Sequence, residues 1–254
     1  MLLLILLAFV CIASGLAWFL ISQDHGKKEP ILALWFAFGM GALAAVLAYY
    51  IENKFISASS LTATSPKTTL LSATMLVAVI EESCKFLPLA ALIYGRKFFN
   101  EHVDGVIYFA LAGLGFGLPE NILYTLQGGT QTGLTRLFLT PVFHASITGM
   151  VGYFLARQKL GKRSPLIVVI PFIAAIVLHG VYDFGLLSGV TTYTIASITI
   201  TLCLTGNLFF LFYRAIDHDQ ELGLSVVGHN SFCRSCGWPN PKHHLYCVHC
   251  GKNA

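Results

Sequence analysis

Seven long runs of apolar residues follow one another along the chain, at about 2–22, 31–51, 68–95, 105–127, 137–156, 165–187 and 193–213. Short polar segments separate them. Each run has about the 20 residues that a helix needs to cross a bilayer. The third is the most polar, because Glu81, Glu82 and Lys85 interrupt it. The first lacks a basic leader and is longer than the apolar core of a usual signal peptide, so it reads as an anchored helix. Cys11 follows Ala8-Phe9-Val10, a poor lipoprotein cleavage site. The pattern predicts an all-α fold: a polytopic transmembrane helix bundle of about seven spans over residues 1–213. A polar linker at 214–230 and a small C-terminal module at 231–254 follow.

Composition supports this. Charged residues are 11% of the 254 and hydrophobic ones 56%, against roughly 25% charged in ordinary soluble domains. A soluble domain with so few charges could not cover its surface. A secreted globular enzyme, a disordered regulator and a nucleic-acid binder with a basic face are therefore excluded, and the lipid bilayer is the first partner. The net charge of +4 says less than where the charges lie. The loops at 23–30, 96–104 and 157–164, with the start of the tail, carry nine Lys and Arg, and the alternate loops carry three: Lys54, Lys67 and Arg136. The positive-inside rule then predicts a multi-pass protein of a cell membrane, a prokaryotic inner membrane, with its N-terminus outside and its tail in the cytoplasm.

Four of the seven Cys lie in the last 22 residues. Cys233 and Cys236, then Cys247 and Cys250, form two CxxC pairs, each followed by Gly. Two such knuckles supply four thiolates to one tetrahedral zinc, and Gly suits the tight turn of each. A module of about 25 residues builds no core of its own, so a structural zinc would supply its folding energy. The tail therefore reads as a zinc ribbon and a docking point for a protein partner. A redox dithiol pair is the alternative. Four protein ligands leave no open position for catalysis.

Ionisable side chains inside spans are costly and are functional candidates by default. Glu81, Glu82, Lys85, Glu120, His144, His179 and Asp183 lie on four consecutive predicted spans. Any one alone could be a satisfied polar bridge between helices. By residue counts, Glu120, His144 and His179 lie roughly 10–12 Å below the same face at 1.5 Å per residue. Glu81 falls a few ångströms deeper. Lys85 is spaced to pair with either Glu81 or Glu82 on one helical face, and Asp183 is spaced to orient His179. Gly113, Gly115 and Gly117 permit close approach of a helix or a substrate backbone, and Pro119 is expected to open the helix just before Glu120.

At these residues the chain resembles the PrsW family of intramembrane proteases. The matching stretches are Glu81-Glu82-Ser83-Cys84-Lys85 (EExxK), Phe116-Gly117-Leu118-Pro119-Glu120-Asn121 (FxxxEN) and His179-Gly180-Val181-Tyr182-Asp183 (HxxxD). Asp104-Gly105, Gly113–Phe116 and Phe143-His144-Ala145 add to the set, which covers about residues 30–190 in the right order. The resemblance implies a polytopic protease cutting a membrane-embedded or membrane-proximal bond of a membrane protein substrate. Site-1 cleavage of an anti-sigma factor is the family's best-known activity, but that substrate does not carry over. The family in turn resembles the broader CAAX-protease-like superfamily, without implying prenylated substrates.

Peptide hydrolysis needs an activated water, an oxyanion stabiliser and a proton donor for the leaving amine. Glu81 is the expected base, with Glu82 paired to Lys85, and the reverse assignment stays open. His179, oriented by Asp183, would donate a proton or stabilise charge. His144 and Glu120 would complete the polar site, and Asn121 would donate to the oxyanion. A metal-free glutamate site is preferred, because no HExxH lies on one helix. A catalytic zinc on His144, His179 and a Glu is the nearest rival. Cys84 is expected to pack. An ion-coupled transporter or channel is the alternative function, but it calls for an inverted repeat that is not evident. A scaffold acting through the zinc tail leaves the buried carboxylates unexplained.

Overall fold

The structure, a computed structural model, describes residues 1–23, 28–222, 224, 235–236, 247 and 249–252. Seven helices follow in order: α1 (Leu2–Ser22), α2 (Ile31–Phe55), α3 (Lys67–Ile93), α4 (His102–Arg136), α5 (Leu139–Gly161), α6 (Leu166–Leu187) and α7 (Thr191–Glu221). A single 3-10 turn at Ala58–Leu61 lies between α2 and α3, and no strand occurs among the described residues. The all-helical expectation holds, and each expected span coincides with a helix. Among the described residues, six helices are long and apolar enough to cross a membrane. α3 falls short because Glu81, Glu82 and Lys85 lie inside it.

Helix starts follow local chemistry. Pro30, Pro66 and Pro165 stand directly before α2, α3 and α6, where a missing N–H costs no helical bond. α4 has a capping box between Glu101 and Asp104. Its next two N–H groups, of His102 and Val103, donate to the Asp219 carboxylate of α7 at 2.7 and 3.0 Å. Asp219 is fully buried, so the end of α7 is tied to the start of α4.

α4 lies at the centre, packed on α5, α2, α1 and α7. Its first half is buried on all sides. The outer helices expose Trp18, Trp35, Leu43, Ile170 and Phe210, the apolar surface that lipid requires. Glycines bring α4 against its neighbours. A Cβ on Gly113 would lie 2.2 Å from the His144 carbonyl oxygen of α5, and one on Gly115 would lie 2.0 Å from the Phe38 oxygen of α2. The close approach expected of these glycines is thus to helices.

The expected opening at Pro119 is not observed, for α4 stays helical through that residue. The break comes at Gly129, with φ 79° and ψ −176°, a region open essentially to glycine alone. There the chain turns back, and Gly133 comes to lie against Thr125. One proline removes one N–H, which a packed helix tolerates, whereas a reversed φ redirects the chain.

Candidate active site

α3, α4, α5 and α6 each deliver polar side chains to one level of the bundle. Lys67 at the start of α3 sets its height against α6, with Nζ donating to the Ser188 carbonyl at 2.6 Å. About four to five turns on, Glu81, Glu82 and Lys85 are all buried. Lys85 Nζ lies 2.8 Å from Glu82 Oε1 and 3.2 Å from Glu81 Oε2, so the ammonium takes both expected partners at once. It also lies 3.1 Å from His144 Nδ1 and 4.0 Å above the Phe116 ring.

The two imidazoles are held from opposite sides. His179 Nδ1 is 2.7 Å from Glu82 Oε1, and its Nε2 is 3.4 Å from Asp183 and 3.6 Å from Glu81. Glu82 is therefore the closer carboxylate orienting this ring, and the expected Asp183 is the more distant one. His144 Nε2 is 2.5 Å from Glu120 Oε2. Phe143, stacked on Tyr182 at 3.8 Å, packs edge-on against both rings. Glu81, His144 and His179 bring one ligand atom each within 4.8 Å of one another, all from buried residues. Glu81 Oε2 is buried without a hydrogen bond.

The equal depth inferred from residue counts thus becomes direct contact between four helices. Asn121 is brought elsewhere. Its Oδ1 accepts from Arg136 Nε at 3.0 Å, and its buried Nδ2 has no hydrogen bond. Arg136 also pairs with Glu120 and lies 4.0 Å over the Tyr124 ring. Sequence reasoning counted Arg136 as a loop charge. No signal along the chain announces that the turn at Gly129 carries it back to Glu120, 16 residues earlier. Cys84 packs among Ala44, Ala45, Ala48 and Phe116, as expected.

A cavity of about 540 Å³ adjoins the cluster. It runs between α2, the 3-10 turn, α3 and α4, and is bordered by Glu81, Glu120, Phe116 and Tyr124. Glu52, near the end of α2, also faces it. This residue lies one position beyond the expected second span and was missed for that reason.

The profile described as "PrsW family intramembrane metalloprotease" matches residues 29–214. The chain belongs to this family. Protease PrsW of Geobacillus kaustophilus (strain HTA426) is 30% identical over 167 residues, covering 65% of this chain and 72% of that protein. Protease PrsW of Clostridioides difficile (strain 630) is 30% identical over 193 residues, covering 72% and 79%. Protease PrsW of Bacillus subtilis (strain 168) is 33% identical over 107 residues, covering 41% and 49%. No solved structure gives a significant match. The chain is thus a multi-pass intramembrane protease of the PrsW family, and nothing supports the transporter alternative.

In the tail, the sulfurs of Cys236, Cys247 and Cys250 offer ligand atoms within 4.8 Å of one another. The His249 N–H donates to Cys247 Sγ at 3.4 Å, and Gly251 has φ 70°, the turn expected after a CxxC pair. Cys233 and the Gly after the first pair lie outside the described residues.

Proposed function

We propose that Glu81, His144 and His179 form the catalytic centre of this intramembrane protease and hold a divalent ion of the zinc type. The observation that carries this reading is their cluster of three buried ligand atoms beside the cavity. The donor set fits in kind, since two imidazoles and a carboxylate are what catalytic zinc takes, with a fourth position left open; Lys85, 3.1 Å from His144 Nδ1, has to withdraw from that nitrogen for it to bind. Charge fits as well. Glu81, Glu82, Glu120 and Asp183 face only Lys85 and Arg136. With neutral imidazoles, carboxylates outnumber cations here, and Glu52 in the adjoining cavity adds to them, which favours a bound cation. We favour this reading over the metal-free site preferred from sequence, because the family is described as a metalloprotease and ligands from three helices would serve in place of an HExxH on one.

When bound, such an ion acidifies water and polarises a carbonyl. The chain's own residues do the rest. Glu81 borders the cavity, so its carboxylate accepts the proton of the attacking water and returns it to the leaving amine. Glu82, engaged by Lys85 and by His179, is the positioning carboxylate. Glu120, fixed by Arg136, holds His144 by Nε2. Lys85 offsets the negative charge around the reacting atoms. Asp183 lies within reach of His179 Nε2 and supports charge there. Asn121 stands behind this set with Arg136; its unbonded Nδ2 would donate to the oxyanion only after a shift in that pairing.

The substrate is a membrane protein with a peptide bond in or next to the bilayer. Residues 231–254 form a second, structural zinc module on Cys233, Cys236, Cys247 and Cys250, joined by the linker 214–230 to the protease domain 1–213. This module is the place for a protein partner, and the Lys and Arg asymmetry places it in the cytoplasm. Metal analysis of the purified full chain tests both sites. We expect about two zinc ions per chain. Joint replacement of Glu81 and His179 by Ala should remove one, together with cleavage of co-expressed single-span substrates. Joint replacement of Cys233 and Cys236 by Ser should remove the other. Full zinc retention and full cleavage in the first variant would overturn the assignment.

A further inference from the structure

Glu52 is the acidic residue of the cavity that the catalytic machinery does not use. Glu81 is countered there by Lys85, and Glu120 by Arg136. The Glu52 carboxylate makes no ion pair or hydrogen bond among the described residues, and its Oε1 is buried. A buried carboxylate oxygen that merely packed would be expected to find a donor. No Lys, Arg or His lines the cavity. Its lining extends from Ala58 and Leu61 on the 3-10 turn, past Glu52, to Glu81 in mid-helix. Tyr49, Phe116 and Tyr124 supply flat apolar walls along the way. A chain lying in this cavity with its scissile bond at Glu81 thus meets an unpaired carboxyl group beside the cluster.

We propose that this cavity is the substrate subsite flanking the scissile bond, and that Glu52 is its specificity-determining residue, selecting a Lys or Arg side chain of the substrate. The inference rests on the protease centre assigned above, which supplies the position of the scissile bond. The aliphatic stem of such a side chain packs along the aromatic walls while its cationic head meets Glu52. A charge-assisted hydrogen bond then fills the unused acceptor.

The test uses the full chain in proteoliposomes and three series of synthetic single-span peptides. The series carry Lys, Gln or Glu, walked one position at a time through the flank of an apolar span. Wild type should cleave the best Lys peptide with a KM at least about tenfold below that of its Glu counterpart, the scale of a hydrogen bond to a charged group. The kcat values should be similar. Glu52→Gln should level the difference, Glu52→Asp should keep it, and Glu52→Lys should reverse it. Peptide binding is measured separately in Glu81→Gln protein by fluorescence quenching, so it does not depend on cleavage. A thermal-unfolding profile like that of wild type in the Glu52 variants shows that they fold. Binding without charge preference, a Lys preference surviving in Glu52→Lys, or no binding of any peptide would overturn the subsite. Charge-selective binding with no cleavage of any peptide by wild type would instead sink the catalytic assignment and leave the subsite standing.

Discussion

Glu82 is held between Lys85 at 2.8 Å and His179 at 2.7 Å. A carboxylate that fixes one imidazole nitrogen orients the other toward its ligand position, and loss of such a partner typically costs 10–100-fold in metal affinity or activity. Glu82→Gln should therefore weaken zinc binding at the membrane site by about 10–100-fold, read by competition with a chromogenic chelator. Glu81→Gln removes the proposed ligand and the proposed base together, so kcat should fall by at least about 10²-fold, measured by single-turnover cleavage. Asp183→Asn should be milder than either, because its carboxylate is farther from His179 and partly exposed. Equal losses in the Glu82 and Asp183 variants would show that both carboxylates orient the ring.

The elements add constraints that no residue carries alone. The reversal at Gly129 brings Arg136 onto Glu120 and Asn121. Alanine at that φ and ψ costs on the order of 1–3 kcal/mol of strain. Gly129→Ala should lower thermal stability and loosen the Arg136 pairing, and Arg136→Met should copy the activity loss without the strain. An activity drop in Gly129→Ala with none in Arg136→Met would mean that the turn matters for another reason. The contact of α4 with α5 is equally exacting. Gly113→Ala places a methyl group 2.2 Å from the His144 carbonyl, and overpacking of this kind costs about 1–3 kcal/mol. The displaced group is the backbone of a proposed metal ligand, so activity should fall further than stability.

For the whole molecule, orientation and the occupancy of the two proposed metal sites are the quantities to measure. The distribution of Lys and Arg, nine against Lys54 and Lys67 once Arg136 is counted with the site, predicts that a cytoplasm-only reporter fused after Ala254 is active. Activity of a periplasm-only reporter at that position would invert the molecule and place the cavity on the cytoplasmic side. Asp219 ties the end of α7, just before the tail, to the start of α4. Asp219→Ala leaves two buried N–H groups without their acceptor, at about 1–3 kcal/mol each. It should lower the unfolding temperature of the full chain while leaving the zinc content of the tail unchanged.

The bundle was legible along the chain because lipid demands about 20 apolar residues per span, a requirement that each segment meets or fails by its own composition. The family and most of the polar cluster were legible for a related reason: charges are so costly inside a membrane that each one stands out. Spacing within one helix also paired Lys85 with both glutamates, since neighbours along a helix are set by its pitch. Contacts between helices lie beyond that reach. Only the tertiary structure turned His179 toward Glu82, carried Arg136 back to Glu120, and gathered Glu81, His144 and His179 into one buried cluster. Only there did Glu52 become a cavity residue. Each of these depends on how far one helix is rotated and raised against another, and that is decided by close contacts such as Gly113 on His144, which belong to the packed bundle as a whole.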